Sequence, residues 1–162
     1  MTEDTAPVRY IERTRAYYRA LGYAKDYVWA TYDEVPFAPL SKPLADCRIG
    51  LVTTASREDP AVHGPGYLRQ VWSGAIAPPP GELFTANLAW DKESTHTRDR
   101  ESFLPIETAS ALAREGRIAG LAAHFHGVPT EYSQRKTLDE DAPQVLRRLR
   151  DDGADAAILC PL

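Results

Sequence analysis

The sequence predicts an α/β fold, with a mostly parallel sheet flanked by helices and an N-terminal helical arm. Two observations carry this. After residue 46, short apolar or β-branched runs alternate with segments of helical period, the pattern of parallel strands joined by crossover helices. Before that point, residues 33–46 hold Pro36, Pro39 and Pro43. Proline fixes φ and biases its predecessor toward extended backbone, so this stretch reads as an ordered linker. The chain divides into an arm, residues 1–34, and an α/β domain, residues 35–162.

Residues 8–22 form the arm's helix. Val8, Ile11, Tyr18 and Leu21 share a stripe, arginines fill the rest, and Gly22 is a C-terminal stop. The run from Cys47 to Thr54 is β-branched and apolar, and predicts a buried first strand. Residues 55–66 are a Gly/Pro-rich loop, residues 67–74 a helical or irregular stretch, and residues 78–81 a break. Glu82 to Trp90 reads as a second strand, and residues 91–102 as a polar loop. Pro105 opens a helix with Ile106, Ala109, Leu112 and Ala113, closed by Gly116. Residues 118–126 give a third strand. Asp141 or Ala142 caps a helix with Pro143 in its first turn and Val145, Leu146 and Leu149 on its apolar face. Gly153 ends that helix, and residues 154–162 are a fourth strand.

Composition narrows the function classes. At 162 residues, 43% hydrophobic and 26% charged, the chain is long enough for a real core. It has no run of about 20 apolar residues and no apolar leader segment, so we expect a cytoplasmic protein with no membrane partner. Nineteen basic against 23 acidic residues give a net charge of −4, which argues against nucleic acid. Arg9, Arg13, Arg15 and Arg19 form one basic cluster, and Arg147, Arg148 and Arg150 another; both read as solvated helix faces. Two cysteines, Cys47 and Cys160, make no disulfide framework.

Four places could carry chemistry. Ligands of open α/β sheets sit beyond the carboxyl ends of the strands. There the loop from Thr53 to Gly66 offers Thr53, Thr54, Ser56, His63 and Gly64. It contains no dinucleotide or phosphate-loop motif. His124 and His126 are two apart in a strand and so share a face, where they suit a carboxylate or a metal ion. A metal needs a third ligand; His63, Asp91, His96 and Asp99 are available, no spacing selects one, and we expect no metal. Asp91, His96 and Asp99 could equally orient a proton-transfer group or belong to a solvated loop. Cys160 lies in an apolar strand, where a thiol is more often inert than nucleophilic.

The stretch from Val35 to Ala55, VPFAPLSKPLADCRIGLVTTA, resembles the opening of the selenoprotein B family, subunits of the glycine, sarcosine, betaine and D-proline reductases. Further similarities follow in order. Asp91 and Asp99 with Phe103-Leu-Pro-Ile106 look like that family's aspartate loop and helix start. Glu115 to Ala122 with His124-Phe-His-Gly-Val-Pro-Thr130 looks like its "GRIGSLAPRFHG" segment. Asp141 to Pro161 looks like the approach to its redox motif. The resemblance covers residues 35–162 and leaves the arm outside it. Glu101 stands where the family pattern calls for Asn, so the substrate is not fixed.

The resemblance implies reductive cleavage of a carbon–nitrogen bond in an amino acid or amine. A selenolate or thiolate attacks and a dithiol/disulfide couple resolves it. The family's selenocysteine or cysteine would follow Leu162, and Cys160 does not match its motif. We therefore expect a sequence stopped at a UGA codon for selenocysteine, with little reductase activity alone and no catalytic residue within it. Cofactors are none, apart from selenocysteine on read-through. Substrate-binding residues would be Thr53, Thr54, His63, Asp91, Asp99, His124 and His126. Partners would be a small amino acid or amine, a reductase subunit, or a second copy pairing through an open sheet edge. The alternatives are a binding module without turnover and a metal-dependent hydrolase built on His96, His124 and His126.

Overall fold

The computed structural model describes residues 9–26, 28–35, 38–58, 70–86, 88, 96–130 and 133–162. The chain forms two compact units, Met1–Phe37 and Ala38–Leu162.

In the first unit, helix α1 (Tyr10–Ala20) ends as expected, with Gly22 at positive φ. Its apolar stripe differs from expectation: no residue of α1 is buried. No second described helix or strand in this unit is available to cover Ile11, Tyr18 and Leu21. The described order comes from polar and ring contacts. Arg19 donates to both carboxylate oxygens of Asp26 at 2.8 and 2.5 Å, and the Arg15 guanidinium lies 5.4 Å from the Trp29 ring centre.

The second unit holds a four-stranded α/β sheet. Its strands are β1 (Arg48–Thr53), β2 (Trp72–Ala75), β3 (Gly120–Gly127) and β4 (Ala156–Cys160), in the order β2-β3-β1-β4. β1 runs parallel to β3 and to β4, while β2 runs antiparallel to β3. Helix α2 (Ile106–Arg114) connects into β3. The short α3 (Gln134–Lys136) continues through a π-helical stretch, Thr137–Asp141, into α4 (Ala142–Asp151).

β1 is buried on both faces because its side chains alternate. Ile49 and Leu51 join Phe103, Leu104, Ile106, Ala109 and Phe125 in the core on the α2 side. Val52 packs with Val145 and Leu149 of α4 on the other. Gly50 lets α4 approach, since a Cβ there would strike the Leu149 side chain. Gly116 and Gly153 end their helices at φ +70°, as the sequence implies.

Three expectations need correction. Residues 72–75, read as helical or irregular, form β2: the backbone of Trp72 to Ala75 finds its partners on β3, and tertiary pairing overrides a weak local pattern. Glu82 to Trp90 does not form a strand among its described residues. Phe84 makes a single bridge to Ser56, and the Leu88 amide donates to the Thr85 carbonyl in a turn. Asp141 is no cap: it sits at helical φ and ψ inside the π-helical stretch, and Ser133 caps instead, its side chain accepting from the Lys136 amide at 3.3 Å.

Glu101 acquires a structural task. Its carboxylate accepts from the Glu107 and Thr108 amides at 3.1 and 2.9 Å and from the Thr108 hydroxyl at 2.9 Å, closing the first turn of α2. Burial opposes its ionisation, but hydrogen bonds involving the Glu107 side chain and the Thr108 and Glu107 amides outweigh it and hold the carboxyl at about 2 against an ordinary 4.5. A depressed carboxyl stabilises the fold above its unfolded pKa and loses that contribution as pH falls. Glu101→Ala should therefore lower unfolding free energy by about 1 kcal/mol near neutral pH. In urea titrations its deficit against wild type should close as pH falls from 4.5 toward about 2.

Among the described residues no helix is long and apolar enough to cross a membrane.

Candidate functional site

The parallel strands β1 and β3 end side by side, and the antiparallel sense of β2 brings its first residues to the same edge. Trp72 pairs with Gly127, and Ser73 with His126. Gly127 is required there, because a Cβ would collide with the Trp72 indole. A cleft of about 460 Å3 opens at this edge, within the size range of small-ligand sites. Thr54, Ser56 and Arg57 come from the segment after β1, Trp72 and Ser73 from β2, Thr130 from the segment after β3, and Arg148 from α4.

Among the described residues the lining contains two arginines and several hydroxyl groups but no carboxylate. Both guanidinium groups converge on Ser73. Arg148 Nη1 donates to the Ser73 hydroxyl at 2.8 Å and its Nη2 to the Gln144 side chain at 2.6 Å. Arg57 donates to the Ser73 carbonyl at 3.1 Å, and its guanidinium carbon lies 5.4 Å from the Trp72 ring centre.

Behind Ser73 lies His126, 1% exposed, with Nδ1 2.9 Å from the Ser73 Oγ. The tautomer with the ring proton on Nε2, the nitrogen nearer Asp152, leaves Nδ1 to accept the Ser73 hydroxyl proton. Nε2 makes no hydrogen bond and faces Asp152 Oδ2 at 4.0 Å. Asp152 is itself held by His124, accepting from its backbone amide at 3.1 Å and approaching its Nδ1 at 3.0 Å. Burial pushes the His126 imidazolium below its ordinary 6.5. Asp152 opposes that shift, while Arg148 and His124 add to it. The ring is therefore a neutral base near pH 7.

Of the residues expected to bind substrate, Thr54 lines the cleft, and His126 backs it through Ser73. His124 shares a face with His126 as the strand period requires, and both turn toward Asp152. Thr53 is buried and accepts from the Ala55 amide at 3.3 Å, so it shapes the strand end and does not line the cleft. Asp99 accepts from the Glu101 amide at 3.0 Å and starts a 3-10 turn, Arg100–Ser102, away from the cleft lining. His63, Gly64 and Asp91 lie outside the described residues. Among the described residues no group of three His, Cys, Asp or Glu side chains is placed to hold a metal ion, so the third ligand a zinc hydrolase needs is not found there. Cys47 is buried, and burial pushes the Cys160 thiol up. Neither cysteine lines the cleft.

Arg148 corrects the reading of its cluster as a solvated face, and Arg57, Ser73 and Asp152 went unread. A signal for three of them existed. Arg148 and Asp152 lie three and seven residues after Val145, on the stripe that carries buried Leu149. Arg57 lies within the candidate loop from Thr53 to Gly66, whereas Ser73 carried no signal, because β2 itself was not foreseen.

No protein-family model, curated protein or solved structure matches the chain.

Proposed function

We propose that the cleft binds the carboxylate of a small amino acid or amine, and that these residues form the substrate-binding part of a cytoplasmic reductase of the glycine, sarcosine, betaine and D-proline type. The observation that carries the binding reading is the cleft lining at the carboxyl ends of β1 and β3, with two arginines and several hydroxyls and, among the described residues, no carboxylate. The reductase reading draws support from the route of the chain after β4. The Leu162 amide donates to Thr54 Oγ1 at 2.8 Å, and Thr54 is a cleft wall. A selenocysteine or cysteine following Leu162, where the resemblance puts it, would be delivered to the bound substrate. In that reaction the carbon gains two electrons and a proton, the amine leaves with the C–N pair, and a dithiol becomes a disulfide.

A second reading, a binding module without turnover, is favoured by the absence of either cysteine from the cleft lining. Two measurements separate the readings. Calorimetric titration with glycine, sarcosine, betaine and D-proline reports binding. Intact mass and selenium content of the protein from its source cells report the redox residue. Binding with selenium and a mass above 18.0 kDa supports the reductase. Binding without either supports the module. Failure of all four ligands overturns both.

A further inference from the structure

We propose that Ser73 is an activated nucleophile that accepts acyl groups from small anionic esters or thioesters, with His126 as its general base and Asp152 as the residue that positions the imidazole. This goes beyond the reductase reading and does not depend on it.

The geometry has the parts that activation of a serine needs. Ser73 lines the cleft, as does Arg148, whose guanidinium donates to the Ser73 hydroxyl. With the ring proton on Nε2, the hydroxyl donates to His126 Nδ1, 2.9 Å away, while the Arg148 guanidinium donates to the same oxygen at 2.8 Å. That guanidinium also stabilises negative charge as it grows on Oγ. The far side of the imidazole is buried, makes no hydrogen bond and faces the Asp152 carboxylate. Asp152 is anchored by His124, so its charge is held in place. The ring is turned relative to the familiar serine triad, with Nδ1 toward the hydroxyl and Nε2 toward the carboxylate. The roles are unchanged, since both nitrogens of a neutral imidazole can serve as acceptor or donor. Arg57, bonded to the Ser73 carbonyl, supplies a second positive charge for the anionic end of the ester.

The chemistry balances without a redox partner. Ser73 Oγ bonds to the acyl carbon as its proton passes to His126 Nδ1. The C–O or C–S bond breaks, and the leaving alkoxide or thiolate takes that proton. Water then attacks the acyl-serine through the same base, releasing the acid and restoring the hydroxyl.

The groups facing His126 are Ser73 from β2, His124 from its own strand, and Arg148 and Asp152 from α4 and its C-terminal end. The pH profile should reflect them. The full chain is treated with mono-p-nitrophenyl succinate and p-nitrophenyl acetate, following nitrophenolate release, intact mass and the modified peptide. We expect acylation at Ser73, faster with the succinyl ester, with a rate that rises with pH through a midpoint below 6.5. Ser73→Ala should abolish it, and His126→Gln should slow it by about 100-fold or more. Asp152→Asn should move the midpoint to lower pH, because the Asp152 charge favours the imidazolium; a purely structural role would leave the midpoint in place. Because His126 is a core residue, its variant is judged only if circular dichroism matches wild type. The wild-type pH profile and Asp152→Asn carry the test otherwise. No label on Ser73 in the folded protein, or a Ser73 rate independent of pH across the histidine range, overturns the proposal.

Discussion

Phe125→Ala is expected to lower the unfolding free energy by about 3–5 kcal/mol, a large share of the roughly 5–15 kcal/mol a domain of this size holds. Phe125 is 1% exposed and sits in the core beneath α2. Its ring meets Trp72 edge to face, with centroids 5.4 Å apart and planes at 84°. Removing it takes away a large buried area and leaves a void between β3 and α2. It also removes the backing of the indole that forms one wall of the cleft. Urea denaturation followed by circular dichroism reads the loss. Phe125→Leu should recover most of it, since leucine refills much of the void. A loss below about 1 kcal/mol for the alanine variant would contradict the placement of Phe125 between Trp72 and α2.

Arg148→Met should weaken binding of a small carboxylate by about ten- to a hundredfold, the effect of removing one charged hydrogen bond worth about 1.5–3 kcal/mol. Stability should change little, because methionine keeps the apolar stem that lies along α4. Arg148→Lys should not restore affinity. The arginine reaches Ser73 and Gln144 with two separate nitrogens, and a single ammonium cannot span both. Arg57, which is exposed, should matter less. Calorimetry with glycine or betaine reads the series. Unchanged affinity in Arg148→Met would remove the carboxylate from this cleft.

Where local pattern and tertiary structure agree, the sequence is readable. β1 announces itself through Ile49, Leu51, Val52 and Thr53, and α2 and α4 through their apolar stripes and closing glycines. It is unreadable where a segment borrows its structure from a neighbour. β2 is four residues long, includes a glycine, and exists because β3 offers a free edge. Residues 83 and 84 look like strand because they are apolar, yet Leu83 packs against the core from an irregular segment. The same division runs through the cleft. His124 and His126 follow from strand period, whereas the convergence of Arg57 and Arg148 on Ser73 depends on a crossover that brings α4 over an antiparallel strand.

The stacking of Arg57 near Trp72 has an optical consequence. Indole emission responds to nearby charge and to water at its face. A ligand whose carboxylate draws the guanidinium away from the ring changes both at once. Trp72 is also pinned by Phe125 and by the close approach of Gly127, so its ring stays put while its surroundings change. The cleft thus contains its own fluorophore, and occupancy can be followed in the unlabelled protein by the shift in tryptophan emission.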